Sequence, residues 1–426
     1  MRVERIEWDG ADATACAAQV RALVPGLEKV TREVGEVIVA VGAHGDQAVR
    51  DLGVRFGEVQ VENFRVDPGL IQAAPSLIDA TLREALMVAA RNIAHLARAE
   101  AEVLLRPVSA ELDAGQRVEV GASPVASAAV YAPGGSGGYP SSVLMGAIPA
   151  RVAGVGRLVV VSPPAGNGRP SDAVLAACAT VGVEEVYAVG GAQAIAALAL
   201  GTESIRPVDV IAGPGNRYVT EAKRLLAGRV GIDGIAGPSE LAVVADGTAD
   251  PELIALDLCA QAEHGDDGLV VAISPDPALL DRTAELTEAL AAQRQSVADP
   301  ALALVTAPGL ELALTLADAL SPEHLELAFQ GADEASARGR VAGCVFVGSG
   351  GATAFGDYAA GSNHVLPTGG AARFGGPLGP GAFMRRTSVV HLGSAAAAEL
   401  APHVAAIAET EGFPVHGESA LARAKR

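Results

Sequence analysis

Four segments of the chain each place a histidine close to a carboxylate or an amide. The pairs are Gln261 with His264, Glu323 with His324, Asp357 with His364, and Glu411 with His416. Imidazole nitrogens together with carboxylate or amide oxygens can bind a catalytic zinc ion that leaves room for a substrate. The segments therefore suggest one convergent metal site. Their spacing matches no short zinc motif, so solvated loop ends remain an alternative explanation.

The first of these segments, QAEHGDDG at residues 261–268, follows an apolar helical stretch. Gln261 and His264 are three residues apart, and side chains at that separation share one face of a helix. Both can therefore approach a single ion from one helix end.

The segment SPEHLELAF places two titratable groups, Glu323 and His324, in an apolar sequence. Burial there would favour the neutral carboxyl group and would move the pKa of the imidazole away from its ordinary value. Groups adjusted in this way serve as general acids and bases. The alternative is the start of a helix or strand with no chemical role.

Three glycine-containing turns carry polar side chains, Tyr131, Gln193 and Asn216, after strand-like runs. In open parallel sheets, ligands bind where strands end and helices begin. None of the turns fits the G-x-G-x-x-G dinucleotide fingerprint. Nucleotide binding and simple turn formation therefore both remain open from the residues alone.

Alternating strand-like and helical runs must position these side chains. Apolar runs rich in β-branched residues begin near residues 129, 157, 183 and 208, and again near residues 240, 268, 301 and 343. A turn and a helical stretch follow each run, as βαβ units require. Helical periodicity also covers residues 28–57, 68–105 and 394–410, whereas residues 349–381 resemble a long functional loop.

This pattern predicts an α/β fold with two doubly wound, Rossmann-like parallel-sheet domains. A short N-terminal arm and a small C-terminal helical tail complete it. The predicted units are the arm at 1–20, one α/β domain at 21–130 plus 241–380, a second at 131–240, and the tail at 381–426.

Composition excludes several classes of partner. The formal net charge is −19, which disfavours binding to nucleic acid or to an anionic membrane. The first residues, MRVERIEWDG, contain no apolar signal-peptide core, and no apolar run reaches about 18 residues. The four cysteines lack CxxC spacing, so we expect no disulfide, a reducing compartment and a cytoplasmic location.

Seven sequence blocks between about residues 30 and 420 carry a family resemblance. They are AGPGNRYV, AGPSE, QAEHGDDG, SPEHLEL, GDYAAGSNHVLPTGG, RRTSV and EGFPVH. In this order and at this spacing, the blocks resemble the histidinol dehydrogenase family. The resemblance implies a zinc-dependent oxidoreductase that acts on a CH–OH group. Such an enzyme converts L-histidinol to L-histidine through a bound aldehyde with two NAD⁺, in the last step of histidine biosynthesis.

The resemblance also implies roles for the residues named above. One zinc ion per subunit would bind Gln261, His264, Asp357 and His416. Substrate contacts would come from Ser239, Gln261, His264, His324, Asp357, His364, Glu411 and His416. NAD⁺ contacts would come from Tyr131, Gln193 and Asn216, in the 131–240 domain.

Within that family pattern, His324 would take the hydroxyl proton, and Glu323 would activate the water that adds to the aldehyde. The tail at 381–426 would cross to the partner in a homodimer and complete its site.

Three alternatives stay open at this point. A glycine-rich YAPGGSGGYPSS segment and a divergent C-terminus leave room for a member of the same family that oxidises another small amino alcohol or a polyol. A protein that binds metal and nucleotide without catalysis would not need the Glu323–His324 pair. A zinc hydrolase would be active without NAD⁺.

Overall fold

The protein is described from a computed structural model, which covers residues 1–24, 30–134 and 138–425. The predicted start of the first helical stretch, residue 28, lies outside the described residues. The described residues form three sheets, two of them parallel and one antiparallel. The strands are β1 (Arg2–Glu7), β2 (Val108–Glu111), β3 (Arg117–Pro124), β4 (Ser127–Tyr131), β5 (Arg157–Ser162), β6 (Glu185–Ala188), β7 (Val210–Ala212), β8 (Gly231–Ile232), β9 (Glu240–Ala245), β10 (Leu269–Ser274), β11 (Ala301–Thr306), β12 (His324–Ala328), β13 (Cys344–Val347) and β14 (Met384–His391).

The helices alternate with these strands through most of the chain. They are α1 (Ala13–Arg21), α2 (Thr31–Arg55), α3 (Pro68–Ala73), α4 (Ala80–Leu104), α5 (Pro140–Ala153), α6 (Asp172–Thr180), α7 (Gly191–Leu200), α8 (Arg217–Leu226), α9 (Pro251–Ala262), α10 (Pro277–Ala292), α11 (Leu310–Leu320), α12 (Ala332–Ala337), α13 (Thr353–Tyr358), α14 (Ser394–Thr410) and α15 (Pro414–Arg423). Short 3₁₀ turns cover Ala74–Ser76, Ala371–Arg373 and Pro380–Phe383.

The first parallel sheet has six strands in the order β1-β11-β10-β9-β12-β13. Its central strands are buried on both faces. For example, Val243 of β9 packs in the cluster with α9, whereas its neighbour Val244 packs in the cluster with α11. Such two-sided burial explains the continuous apolar runs in the sequence.

The second parallel sheet has five strands in the order β6-β5-β4-β7-β8. Alternate residues of β5 again belong to different clusters: Val160 packs with α4, α5 and α6, and Val161 packs with α2 and α7. The small side chains of alanine and glycine let these helices lie close to the sheet. At Gly146 in α5, a Cβ atom would lie 2.5 Å from a methyl group of Val130.

The predicted α/β fold class with parallel sheets is confirmed, but three features differ from the sequence prediction. Residues 1–20 are not an arm, because β1 pairs in parallel with β11 and α1 packs on α11. Helices α2 and α4, grouped by the prediction with residues 241–380, pack instead on the five-stranded sheet. The antiparallel sheet β14-β3-β2 had no counterpart in the prediction, because its pairing joins segments far apart in sequence.

In the part of the chain that the structure describes, no helix combines the length and the apolarity that crossing a membrane requires. All four cysteines are free, and three of them are buried.

Candidate active site

A cavity of about 500 Å³ lies between the two parallel sheets. Its lining includes Ser239, His264, Glu323, His324, Asp357 and His364 on one side. Asn216 and Tyr218, at the start of α8, line it from the side of the five-stranded sheet. The segments that carry histidine and carboxylate pairs therefore converge, except for the C-terminal one.

The cavity meets the two sheets at opposite edges. Ser239 and Glu323 immediately precede β9 and β12, so they lie at the amino edge of the six-stranded sheet. Asn216 follows β7 and lies at the carboxyl edge of the five-stranded sheet. Ligand sites in open α/β sheets usually lie at the carboxyl edge. Only the five-stranded sheet obeys that rule here.

Glu323 and His324 are almost completely buried, at 6 % and 2 % exposure. Glu323 Oε2 accepts a hydrogen bond from Ser239 Oγ at 2.5 Å and another from the Glu240 amide at 2.8 Å. Burial raises the pKa of Glu323 to about 7, although His324 and these two donors oppose the increase. At neutral pH the carboxyl group can therefore take up or release a proton.

His324 contacts protein groups through both ring nitrogens. Nδ1 lies 3.2 Å from the carbonyl oxygen of Glu240, which fixes Nδ1 as the donor, and Nε2 lies 3.5 Å from Asp357 Oδ1. Burial alone would lower the pKa of His324, but the carboxylates of Glu323 and Asp357 outweigh burial and raise the pKa to about 9. Its ring also lies against Phe346, with ring centroids 5.9 Å apart.

Helix α9 and the turn after it provide the next group of polar atoms. Asp250 begins α9 by accepting from the Glu252 amide at 2.9 Å. At the other end of the helix, Gln261 is 3 % exposed and donates through Nε2 to Ser239 Oγ at 2.6 Å. Gln261 Oε1 is buried and has no hydrogen-bond partner among the described residues. An unpaired buried carbonyl oxygen costs stability unless a ligand uses it.

His264 lies one turn further along the chain and lines the cavity with Asp357 of α13. Burial lowers the pKa of His264, so its imidazole is neutral at pH 7. Burial opposes ionisation of Asp357, but the neighbouring His324 outweighs it and lowers the pKa of Asp357. Within the described ranges, no three histidine, cysteine, aspartate or glutamate side chains are already arranged around a metal position.

His364 connects the Asp357 segment with α5, a helix that packs on the five-stranded sheet. Its Nε2 lies 3.2 Å from Ser142 Oγ on α5, and its Nδ1 lies 2.9 Å from the carbonyl oxygen of Asp357. Burial lowers its pKa, so the ring is neutral at pH 7. No motif or spacing in the sequence identifies Ser142 as a site residue.

Glu411 and His416 lie outside the cavity of their own chain. Both are exposed, and the ring of His416 lies beside the neighbouring Phe413 ring, with centroids 5.4 Å apart. Helices α14 and α15 pack on each other. The structure thus places His264 and Asp357 together on the cavity wall, has Gln261 hydrogen-bonded to Ser239 of the same wall, and leaves His416 apart.

The three turn residues have unequal access to the cavity. Asn216 lines it, and its side chain caps α8 by accepting from the amides of Tyr218 and Val219 at 3.0 and 3.2 Å. Tyr131 is 4 % exposed, and its hydroxyl accepts from the Gly191 amide at 3.1 Å. Gln193 is 1 % exposed and packs beside Glu58. Tyr131 and Gln193 are therefore buried at the start of α7, where Tyr131 binds the first amide of the helix and Gln193 is part of its first turn.

The sequence analysis missed a pair of buried carboxyl groups behind the site. Asp257 of α9 and Glu326 of β12 are 8 % and 4 % exposed and face each other. Burial and the charge of Asp257 raise the pKa of Glu326 to about 9. The pair therefore holds a proton at neutral pH. Because the two residues are far apart in sequence, only the fold brings them together.

The fold and the site together define an α/β enzyme. Two parallel sheets enclose a cavity, and a buried glutamate–histidine pair lies on its wall beside neutral imidazoles. A family model described as histidinol dehydrogenase matches residues 25–424. The chain therefore belongs to the histidinol dehydrogenase family, whose members are dehydrogenases.

Comparison with individual relatives supports the assignment of the chain to this family. The histidinol dehydrogenase of Rhodospirillum rubrum is 43 % identical over 436 residues, which cover 99 % of each chain. That of Thermobifida fusca is 40 % identical over 435 residues, covering 100 % of this chain and 98 % of the relative. A crystal structure of histidinol dehydrogenase from Elizabethkingia anophelis superposes with a TM-score of 0.89 at 30 % identity, covering 100 % of this chain and 98 % of the other.

Proposed function

We propose that the protein oxidises L-histidinol to L-histidine through a bound aldehyde, in the cytoplasm, as the last step of histidine biosynthesis. The observation that carries the proposal is the buried Glu323–His324 pair on the wall of the cavity. Two oxidations of one carbon need a base for the hydroxyl proton and a base for the water that adds to the aldehyde. Two adjacent groups with different proton affinities can divide these tasks.

His324 removes the hydroxyl proton in the first oxidation. Because Nδ1 donates to the Glu240 carbonyl, the neutral ring presents Nε2 as the acceptor, on the side of Asp357. Alkaline conditions favour this neutral form, given the raised pKa of His324. The carbinol carbon loses a hydride as the proton leaves, and the product is the aldehyde.

Glu323 serves the second oxidation. Ser239 and the Glu240 amide both bind Oε2, so water can approach the carboxylate at Oε1. The ionised carboxylate takes one proton from that water as its oxygen adds to the aldehyde carbon. The hydrate then loses a second hydride and becomes the carboxylic acid.

NAD⁺, when bound, supplies the hydride acceptor for both oxidations. Asn216 lines the cavity, which supports a direct contact with the cofactor. Tyr131 and Gln193 complete the proposed cofactor set, with contacts at the start of α7. We assign cofactor contacts to the unit built on the five-stranded sheet and most of the reacting groups to the unit built on the six-stranded sheet.

A zinc ion fits the polar atoms near His264. Gln261 Oε1 is an orphaned buried oxygen, and the imidazole of His264 and the carboxylate of Asp357 complete an oxygen and nitrogen donor set. His416 would be the fourth ligand. Zinc, when bound, would orient the amino alcohol and act as a Lewis acid. Ser239, His364 and Glu411 would add substrate contacts beside His324 and the zinc ligands.

With the tail in this conformation, Glu411 and His416 lie outside the cavity of their own chain, so they would enter the cavity of another subunit. The tail exposes a row of large apolar side chains: Val404, Ile407, Phe413 and Val415. Exposed apolar patches of this kind mark protein interfaces. The protein is therefore proposed to be a homodimer in which the tail, residues 381–426, completes the partner's site.

Substrate and stoichiometry test the proposal together. The purified protein, loaded with Zn²⁺, should form two NADH for each L-histidinol consumed, with L-histidine as the product. The measurement combines absorbance at the NADH band with chromatography of the amino acid. Faster turnover of another amino alcohol or a polyol would favour a different substrate within the same family. Activity that does not require NAD⁺ would reject oxidation and favour a hydrolase.

Removal of the metal should abolish the reaction. After chelation, turnover should fall to background, and added Zn²⁺ should restore it. His264→Ala should purify with less than about one tenth of the wild-type zinc content, because a neutral imidazole ligand is lost. His95→Ala, on α4, is the matched control and should keep its zinc. Elemental analysis of the proteins reports the metal directly, and full activity in a metal-free protein would contradict the assignment.

A further inference from the structure

Glu240, the first residue of β9, is a buried carboxylate to which the mechanism gives no chemical role. It is 5 % exposed. Its backbone nevertheless contacts both reactive side chains: the amide donates to Glu323 Oε2, and the carbonyl oxygen faces His324 Nδ1. Any displacement of Glu240 therefore moves hydrogen-bond partners of both groups.

The Glu240 side chain also holds one wall of the cavity. Its Oε1 accepts from the Gly369 amide at 3.0 Å. The adjacent Thr368 lines the cavity and accepts a hydrogen bond from the Gly237 amide. Gly369 and Gly370 have φ values of +64° and +79°, a conformation that glycine adopts without strain. The carboxylate thus ties the 368–370 turn to the start of β9.

Arg21, the last residue of α1, is the cationic partner of Glu240. Its Nη1 lies 2.7 Å from Glu240 Oε1, and its Nη2 lies 3.2 Å from Oε2. Nη2 also donates to the carbonyl oxygen of Leu320, at the end of α11. A paired, bidentate guanidinium compensates the cost of burying the carboxylate.

We propose that Arg21 and Glu240 are positioning residues for the oxidation. Their ion pair fixes both the β9 backbone that orients Glu323 and His324 and the 368–370 turn that closes the cavity. The inference rests on the proposed function, because it takes Glu323 and His324 as the reacting groups. It gives the N-terminal strand–helix unit a role in catalysis, although Arg21 touches no reacting atom.

The kinetic test compares two substitutions of Arg21. Arg21→Met removes the charge, and kcat for histidinol oxidation should fall about 10²-fold, because a displacement of about 1 Å in a site has an effect of this size. The KM for histidinol should change much less. Arg21→Lys keeps the charge without the planar fork, so it should recover part of the lost kcat. Arg338→Met, which breaks an exposed ion pair with Glu311, is the control and should leave kcat unchanged.

Hydrogen exchange tests the geometry without requiring turnover. In Arg21→Met, amides in residues 366–373 should exchange faster than in the wild-type protein. If this variant does not fold, the double variant Arg21→Met/Glu240→Gln is measured instead, because it leaves no buried carboxylate unpaired at position 240. It should still show the faster exchange.

Two results would overturn the positioning role. In the first, Arg21→Met keeps both the kcat and the amide exchange rates of the wild-type protein. In the second, Arg21→Met and Arg21→Lys have the same kcat. A wild-type protein that does not oxidise histidinol would count against the proposed function. The exchange result would still decide whether the ion pair holds the turn.

Discussion

Glu323→Gln should slow oxidation of the aldehyde to the acid by about 10²–10⁴-fold, the usual effect of losing a general base. Oxidation of the alcohol to the aldehyde should keep most of its rate, since His324 accepts the proton in that step. The measurement supplies L-histidinol and L-histidinaldehyde separately and follows NADH formation in single turnovers. In the wild-type protein, aldehyde oxidation should also fall as the pH drops through about 7, because Glu323 must be ionised to accept a proton. The variant should lack this pH dependence.

Glu326→Gln is the matched control for this experiment. Glu326 lies three residues further along the chain, within β12, and is also buried, but its partner is Asp257. A glutamine there can still donate a hydrogen bond to Asp257, as the protonated Glu326 does. Aldehyde oxidation should therefore persist. If Glu323→Gln slows both oxidations equally, Glu323 is not the base of the second step alone.

The fold class was predictable because two-sided burial leaves a continuous apolar run for each strand of a parallel sheet. β5, β9 and β10 all show such runs. The edge strand β1 was missed because it lacks this two-sided burial. Its sequence, RVERIE, is mostly exposed and charged, so it carries little apolar signal. Its place in the sheet depends on pairing with β11, almost 300 residues away.

The location of the candidate site was only partly predictable. The turns after β4, β6 and β7 are candidates for ligand binding because parallel strands usually present sites at their carboxyl ends. The Glu323–His324 pair instead lies at the start of β12, at the amino edge of the other sheet. Local sequence patterns do not specify how two sheets face each other. The contacts of Arg21 with Glu240 and of Asp257 with Glu326 also had no signal in the sequence, because each joins residues that are far apart along the chain.

Subunit mixing should reveal whether the tail acts in trans. His324→Ala and His416→Ala should each be inactive alone. If the tail of one subunit completes the partner's site, each mixed dimer contains one site with both lesions and one site with neither. Random exchange gives about half mixed dimers, so about a quarter of all sites should recover, by the two-fold symmetry of the dimer.

The physical reason for expecting recovery is the position of His416. It is exposed on α15, away from the cavity that contains His264 and Asp357. The experiment mixes the two purified variants under conditions that exchange subunits and measures histidinol oxidation against each variant mixed with itself. Glu418→Gln, on the same helix, is the control and should be active without mixing. If each tail folds back onto its own chain, every site in the mixed dimer keeps one lesion. Activity would then stay at background, and the assignment of His416 to the partner's site would be wrong.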